Sequence, residues 1–163
     1  MLIRAIKPGD WPVIAAVQKQ CYHDLAPEPL AALQNKWQLS PESCFVMELR
    51  DKVQGYCLAH PWKLQQPPAL YSMLEPCPDA DTLYLHDIAV SPEARGHGFA
   101  TQAFRRLVQF ALQRQLPTLS LVAVQGASDY WKMLGFSPCD IEKSLASYTD
   151  DACYMTYALS RDA

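Results

Sequence analysis

The stretch that decides the fold reads LYLHDIAV (residues 83–90), SPEARGHGFA (91–100) and TQAFRRLVQFALQR (101–114). The first eight residues are rich in apolar and aromatic side chains and contain neither Gly nor Pro, which suits a buried strand. Ser91 and Pro92 interrupt it. Apolar residues then recur at Ala100, Ala103, Phe104, Leu107, Val108 and Ala111, the spacing of one helix face, with Thr101, Gln102, Arg105, Arg106 and Gln109 opposite. Between strand and helix lie Arg95, Gly96, His97 and Gly98, and Ala100 completes an R-G-x-G-x-A run. Glycines let the backbone turn tightly and let amides approach a ligand without a Cβ in the way. The helix N-terminus adds unsatisfied N–H donors and the positive end of the macrodipole. The segment therefore predicts an anion site for a phosphate or pyrophosphate. The turn alone also fits an ordinary strand-to-helix connection. A dinucleotide fingerprint needs a third glycine where Thr101 stands, and the Gly-Lys-Ser/Thr of a Walker loop is absent.

Composition narrows the class. The 163 residues are 50% hydrophobic and 19% charged, which predicts one globular domain over residues 1–163 with a substantial core. A net charge of -3 without a long basic run argues against nucleic acid as a partner. No apolar stretch approaches the roughly 20 residues that span a bilayer, so no membrane association is expected. The N-terminus lacks the apolar region and cleavage site of a signal peptide, which points to a cytoplasmic protein. The cysteines at 21, 44, 57, 77, 139 and 153 form no C-x-x-C, and no His pair adds zinc-finger spacing. Reduced thiols and no metal are the expectation.

Taken in order, Met1–Ile6 reads as a first strand. Pro8-Gly9-Asp10 is turn chemistry, with Asp10 as N-cap of a helix from Trp11. Val13, Ile14, Ala16, Val17 and Cys21 form its stripe, and prolines at 27 and 29 separate it from a second helix over 30–38. Residues 44–49 and 54–60 read as a hairpin. The proline-rich stretch 61–80 is a long loop, of the kind that is often functional. Beyond the central helix, Thr118–Val124 is another buried strand. Ser128 or Asp129 could cap a short helix over 130–134, which Gly135 ends. Cys153–Leu159 is a last strand. The fold class is α/β with mixed α and β elements.

Residues 83–100 resemble motif A of the GNAT superfamily of N-acetyltransferases, R/Q-x-x-G-x-G/A after a strand ending in an apolar triplet. The matching residues are Ile88-Ala89-Val90, then Arg95, Gly98 and Ala100. A second block, a small-residue turn followed by aromatic-x-x-x-Gly-Phe, is matched by Ala127 to Phe136, in the family's order and separation. The resemblance implies a central, mostly antiparallel mixed sheet of about six or seven strands flanked by about four helices. It implies acetyl-CoA as co-substrate and an amine acceptor. The pyrophosphate would sit on the amides of Arg95, Gly96, His97, Gly98, Phe99 and Ala100, extended to Thr101. Pantetheine would pair with the backbone of Ile88, Ala89 and Val90, with Trp131 packing against it and Ser128 also counted among the coenzyme-binding residues. The first helical pair would lie beside the acceptor, where Tyr22, His23, Asp24 and Trp37 could line the site. The 61–80 loop could cover its entrance. A homodimer is the common default for oligomeric state.

Acetyl transfer requires a neutral amine and a reprotonated thiolate, so a base and an acid are sought. Strict alternation puts Tyr84, His86, Ile88 and Val90 on one strand face and Leu85, Asp87 and Ala89 on the other. The resemblance implies a base at His86 or Tyr84, and His86 is preferred because imidazole titrates near neutrality. Asp87 reaches the same face only if a bulge reorients it. The position where many family members carry an acidic tyrosine holds Trp131, an N–H donor that cannot serve as a phenol does. Its neighbour Tyr130 is the first substitute, ahead of Tyr148, Tyr154 or water. The missing tyrosine also motivates a rival, a CoA-binding sensing domain without catalysis, and acyl length is left open.

Overall fold

The computed structural model describes residues 1–159. Seven strands, β1 (Leu2–Ala5), β2 (Phe45–Leu49), β3 (Lys52–Trp62), β4 (Thr82–Val90), β5 (Thr118–Ala123), β6 (Ser137–Pro138) and β7 (Cys153–Ala158), form one sheet in the order β1-β2-β3-β4-β5-β7-β6. All neighbouring pairs are antiparallel except β4 and β5. Four helices, α1 (Trp11–Cys21), α2 (Leu30–Leu39), α3 (Phe99–Gln113) and α4 (Ser128–Met133), complete a GNAT-like fold.

Two cores divide the sheet's faces. On one, α3 buries Phe99, Ala103, Leu107, Phe110 and Ala111 against Leu83, Leu85, Leu119 and Leu121. On the other, Trp11, Ile14 and Val17 of α1 and Leu33 of α2 pack on Val46, Tyr56, Leu58 and Ala89. The amphipathic period read from residues 100–111 is thus the one that seats α3, and Leu107→Ala would cost about 2–5 kcal/mol.

Three local expectations change. Asp10 does not cap α1; its carboxylate accepts from Lys7 N at 2.7 Å and pairs with Arg4, which also reaches Glu48. Strand β3 runs on through Pro61 to Trp62, so the long loop begins at 63. Strand β2 pairs β3 only as far as Cys57, and the rest of β3 is an edge on that side, where a strand proline is tolerated. Helix α4 starts at Ser128 with no side-chain cap.

Candidate active site

Strands β4 and β5 pair only from Leu83↔Leu119 to Leu85↔Leu121 and then splay apart. The second half of β4 consequently has no strand partner on that side, and a cavity of about 340 Å³ opens in the wedge. Its walls are the backbone of Leu85–Val90, the end of β5, Arg95, Ala100, Tyr130 and Trp131. At its foot Tyr22 and Cys21, from the end of α1, reach the exposed β4 edge. Tyr22 Oη lies 3.1 Å from Ile88 O, and Cys21 Sγ donates to Val90 O at 3.1 Å.

At the wide end, Gly96 and Gly98 take φ +87° and +78°, conformations that side chains rarely adopt. Gly98 is the N-cap of α3 and, having no side chain, leaves the first helical amides without a cap. These open amides are at the position where the sequence predicts an anion. Arg95 and Ala100 line the wedge. The His97 ring turns back to Ala94 O at 3.0 Å, and Phe99 is buried in the core against Phe45. Thr101 Oγ1 lies 3.5 Å from Tyr130 Oη. Ser128 does not line the cavity, whereas Trp131, 6% exposed, does so while packing on Phe136.

Strand β4 carries a bulge. Its register against β3 steps from Leu58↔Asp87 to Ala59↔Leu85, leaving His86 as the extra residue. Strict alternation therefore fails: Leu83, Leu85, Ile88 and Val90 belong to the α3-side core, while Ala89 belongs to the other. The bulge brings His86 and Asp87 onto the same side, where both line the wedge and a second cavity beyond it. Asp87 accepts from Tyr22 Oη and Tyr56 Oη, each at 2.5 Å. Burial pushes its carboxyl up to about 6, although the two phenols pull it back down. Burial and the Asp87 charge in turn push both tyrosines well above their ordinary range.

His86 is held by a residue that sequence reasoning passed over. Its Nε2 lies 2.7 Å from Glu28 Oε1, while Nδ1 is buried with no partner among the described residues. Donation from Nε2–H to the carboxylate leaves the Nδ1 lone pair free. Glu28, between two prolines, also accepts from Tyr71 N and stands 3.8 Å from the fully buried ammonium of Lys36. Burial alone would raise the Glu28 carboxyl, but His86 and Lys36 together hold it below the usual value. Burial lowers Lys36 against the opposing pull of Glu28.

Of the other predicted residues, Tyr84 is buried and shares a 2.9 Å contact with Tyr148 Oη. Trp37 packs edge-on against Trp11, and the amides of His23 and Asp24 are held by Gln125. Tyr154 Oη accepts from Gln65 N. Tyr130 is 38% exposed, stands beside α3 and lines the same wedge as His86.

The sequence profile of the Acetyltransferase (GNAT) family matches residues 11–136. Among solved structures, the chain is similar to the GphF GNAT-like decarboxylase in complex with isobutyryl-CoA, with a TM-score of 0.78 at 16% identity, covering 97% of this chain and 99% of that one. It is similar to the loading GNATL domain of CurA from Lyngbya majuscula, with a TM-score of 0.76 at 14% identity and 96% of each chain covered. It is also similar to Arabidopsis thaliana Naa50 in complex with a bisubstrate analogue, CoA-Ac-MVNAL, with a TM-score of 0.71 at 12% identity, covering 97% and 98%. At these identities the likeness is one of fold. No curated protein sequence matches this chain.

Proposed function

The chain belongs to the GNAT acetyltransferase family, and we propose that it moves an acetyl group from acetyl-CoA to a primary amine by direct attack in a ternary complex. The observation that carries this reading is His86, which lines both the wedge and the second cavity, with one nitrogen pinned to Glu28 and the other without a partner among the described residues. Bound acetyl-CoA supplies the activated thioester carbonyl. The uncapped amides at the start of α3 would receive the pyrophosphate, and the unpaired edge of β4 would receive the amides of the pantetheine arm.

On the acceptor side, His86 Nδ1 takes a proton from the amine, and Glu28 stabilises the resulting imidazolium. Asp87, fixed by two phenols, adds a negative charge to the same wall. The hydroxyls lining the wedge are those of Tyr22 and Tyr130. Tyr22 is tied to Asp87, which leaves Tyr130 to protonate the departing sulfur. Cys21, the cysteine that lines the wedge, donates its thiol to Val90 O, and burial raises its pKa above the ordinary thiol value, in keeping with direct attack and no thiolate nucleophile. The test is acetyl-CoA turnover with primary amines, followed by thiol release and by the mass of the product. His86→Ala should lower kcat by about 10²–10⁴-fold with CoA affinity retained. CoA binding without transfer to any amine would instead leave a CoA-sensing domain.

A further inference from the structure

The loop between β3 and β4 does not lie loose on the surface. Residues 63–81 form a strap that spans the two segments flanking the second cavity. On one side, Tyr71 Oη donates to Ala26 O at 2.9 Å and Tyr71 N to Glu28 Oε2 at 3.2 Å. Asn35 clasps Leu74 through both its backbone groups, at 2.8 and 3.0 Å, and Lys36 Nζ donates to Ser72 O. On the other side, Leu70 N donates to Ser147 Oγ at 3.0 Å, and Tyr148 Oη to Pro68 O at 2.6 Å. The strap thus bridges the α1–α2 region to the connection between β6 and β7.

Beneath it lies a cavity of about 60 Å³ into which Leu70 of the strap projects, together with Leu25, Val122, Val124 and Tyr148. Its floor holds His86, Asp87 and Glu28. Two carboxylates, His86 and Gln18 supply the polar groups of this compartment, and the rest of its lining is apolar or aromatic. Lys36 is turned away to Glu28 and Ser72 O.

From this we infer that the acceptor is a small primary amine with a short apolar tail, and not the end of a polypeptide chain. The inference rests on the transfer reading above and names its substrate class. An extended peptide advances about 3.3 Å per residue, so within two or three residues it would have to leave a compartment of this size. Its way out between the flanking segments is crossed by the strap. Lifting residues 68–74 breaks the bonds to Ala26, Asn35, Ser147 and Tyr148. Each bond is worth roughly a factor of five, and three or more together at least about a hundredfold.

The experiment is a ligand-observed NMR titration of the protein saturated with plain CoA, which allows binding but no turnover. The probes are n-butylamine and a C-terminally amidated tetrapeptide with a free amino end. Butylamine should bind, and the tetrapeptide at least about a hundredfold more weakly. Replacing residues 66–75 by a short Gly-Ser linker should raise peptide affinity by at least about tenfold. Asn35→Ala, which removes both bonds to Leu74 with less risk to folding, should raise it severalfold. Retained CoA binding checks that each variant folds. Peptide binding as tight as that of butylamine to the unaltered protein, or no amine binding to the CoA complex, overturns the inference. Butylamine binding without transfer from acetyl-CoA overturns the transferase reading and leaves the compartment's selectivity standing.

Discussion

Glu28→Gln isolates the charge at the centre of the acceptor wall. Glutamine keeps the shape, with its oxygen accepting from Tyr71 N and its amide donating to His86 Nε2 in the other neutral tautomer, so the net loss is a negative charge 3.8 Å from Lys36 Nζ. The Lys36 side chain is fully buried and that of Glu28 is 5% exposed. At an effective dielectric of about 20, this separation corresponds to about 4 kcal/mol of attraction. Lys36 can shed part of the penalty by releasing its proton, which burial already favours, so a net loss of about 3 kcal/mol is expected. With a urea slope of about 2 kcal/mol/M, the unfolding midpoint should fall by about 1.5 M. Adding Lys36→Met removes the stranded charge and should recover most of the loss. The pH dependence has a definite sign. Because the folded state holds Glu28 below its ordinary value of 4.5, its stabilisation is complete above that value and lost as pH falls through the folded one. The gap between wild type and Glu28→Gln should therefore close in acid. A midpoint shift under about 0.3 M at neutral pH, or a gap that does not narrow as the pH falls below 4.5, would refute the buried-triad argument.

Three further predictions concern neighbouring parts of the site. The Asp87 carboxyl should titrate near pH 6 by carbon NMR, and Tyr56→Phe should move it higher, since burial raises it and the phenol restrains it. Because that value lies above the unfolded 3.8, the group's contribution to stability should decline as pH rises from about 4 through 6, and Asp87→Asn should flatten this segment of the profile. Tyr130→Phe should lower kcat by at least about tenfold without changing CoA affinity, and an unchanged kcat would remove Tyr130 as the proton donor. Gly135 adopts φ +108°, and a Cβ there would meet the Tyr157 ring at 2.9 Å. Gly135→Ala should therefore cost about 2 kcal/mol, lowering the melting temperature by about 4–8 °C.

The parts of the site that one segment encodes locally were legible from sequence. The run from Leu83 to Ala111 holds a strand, a glycine turn and an amphipathic helix, and the structure presents them in that order as β4, a turn through Gly96 and Gly98, and α3. The faces of His86 and Asp87 were not legible, because a bulge is a property of two strands and β3 carries no sign of the skipped residue. Glu28 was hidden for a different reason: a carboxylate between prolines reads as a solvated loop, and only the fold brings it under β4. Lys36 did leave a trace. It lies three and four residues beyond Leu33 and Ala32, on the buried stripe of α2, where a lysine needs a partner. The strap was visible as a long proline-rich connection, but its anchors at Asn35, Ser147 and Tyr148 come from distant segments.

The most direct test of the central claim is a calorimetric titration of the protein with CoA, alongside the same titration of Gly98→Glu. The substitution puts a carboxylate, at a backbone conformation that disfavours side chains, among the amides that would hold the pyrophosphate. One site per chain in the micromolar range or tighter, lost in Gly98→Glu while the variant stays folded, is the expected result. No binding to the unaltered protein, or equal binding to both, would contradict the assignment of the wedge as a coenzyme site.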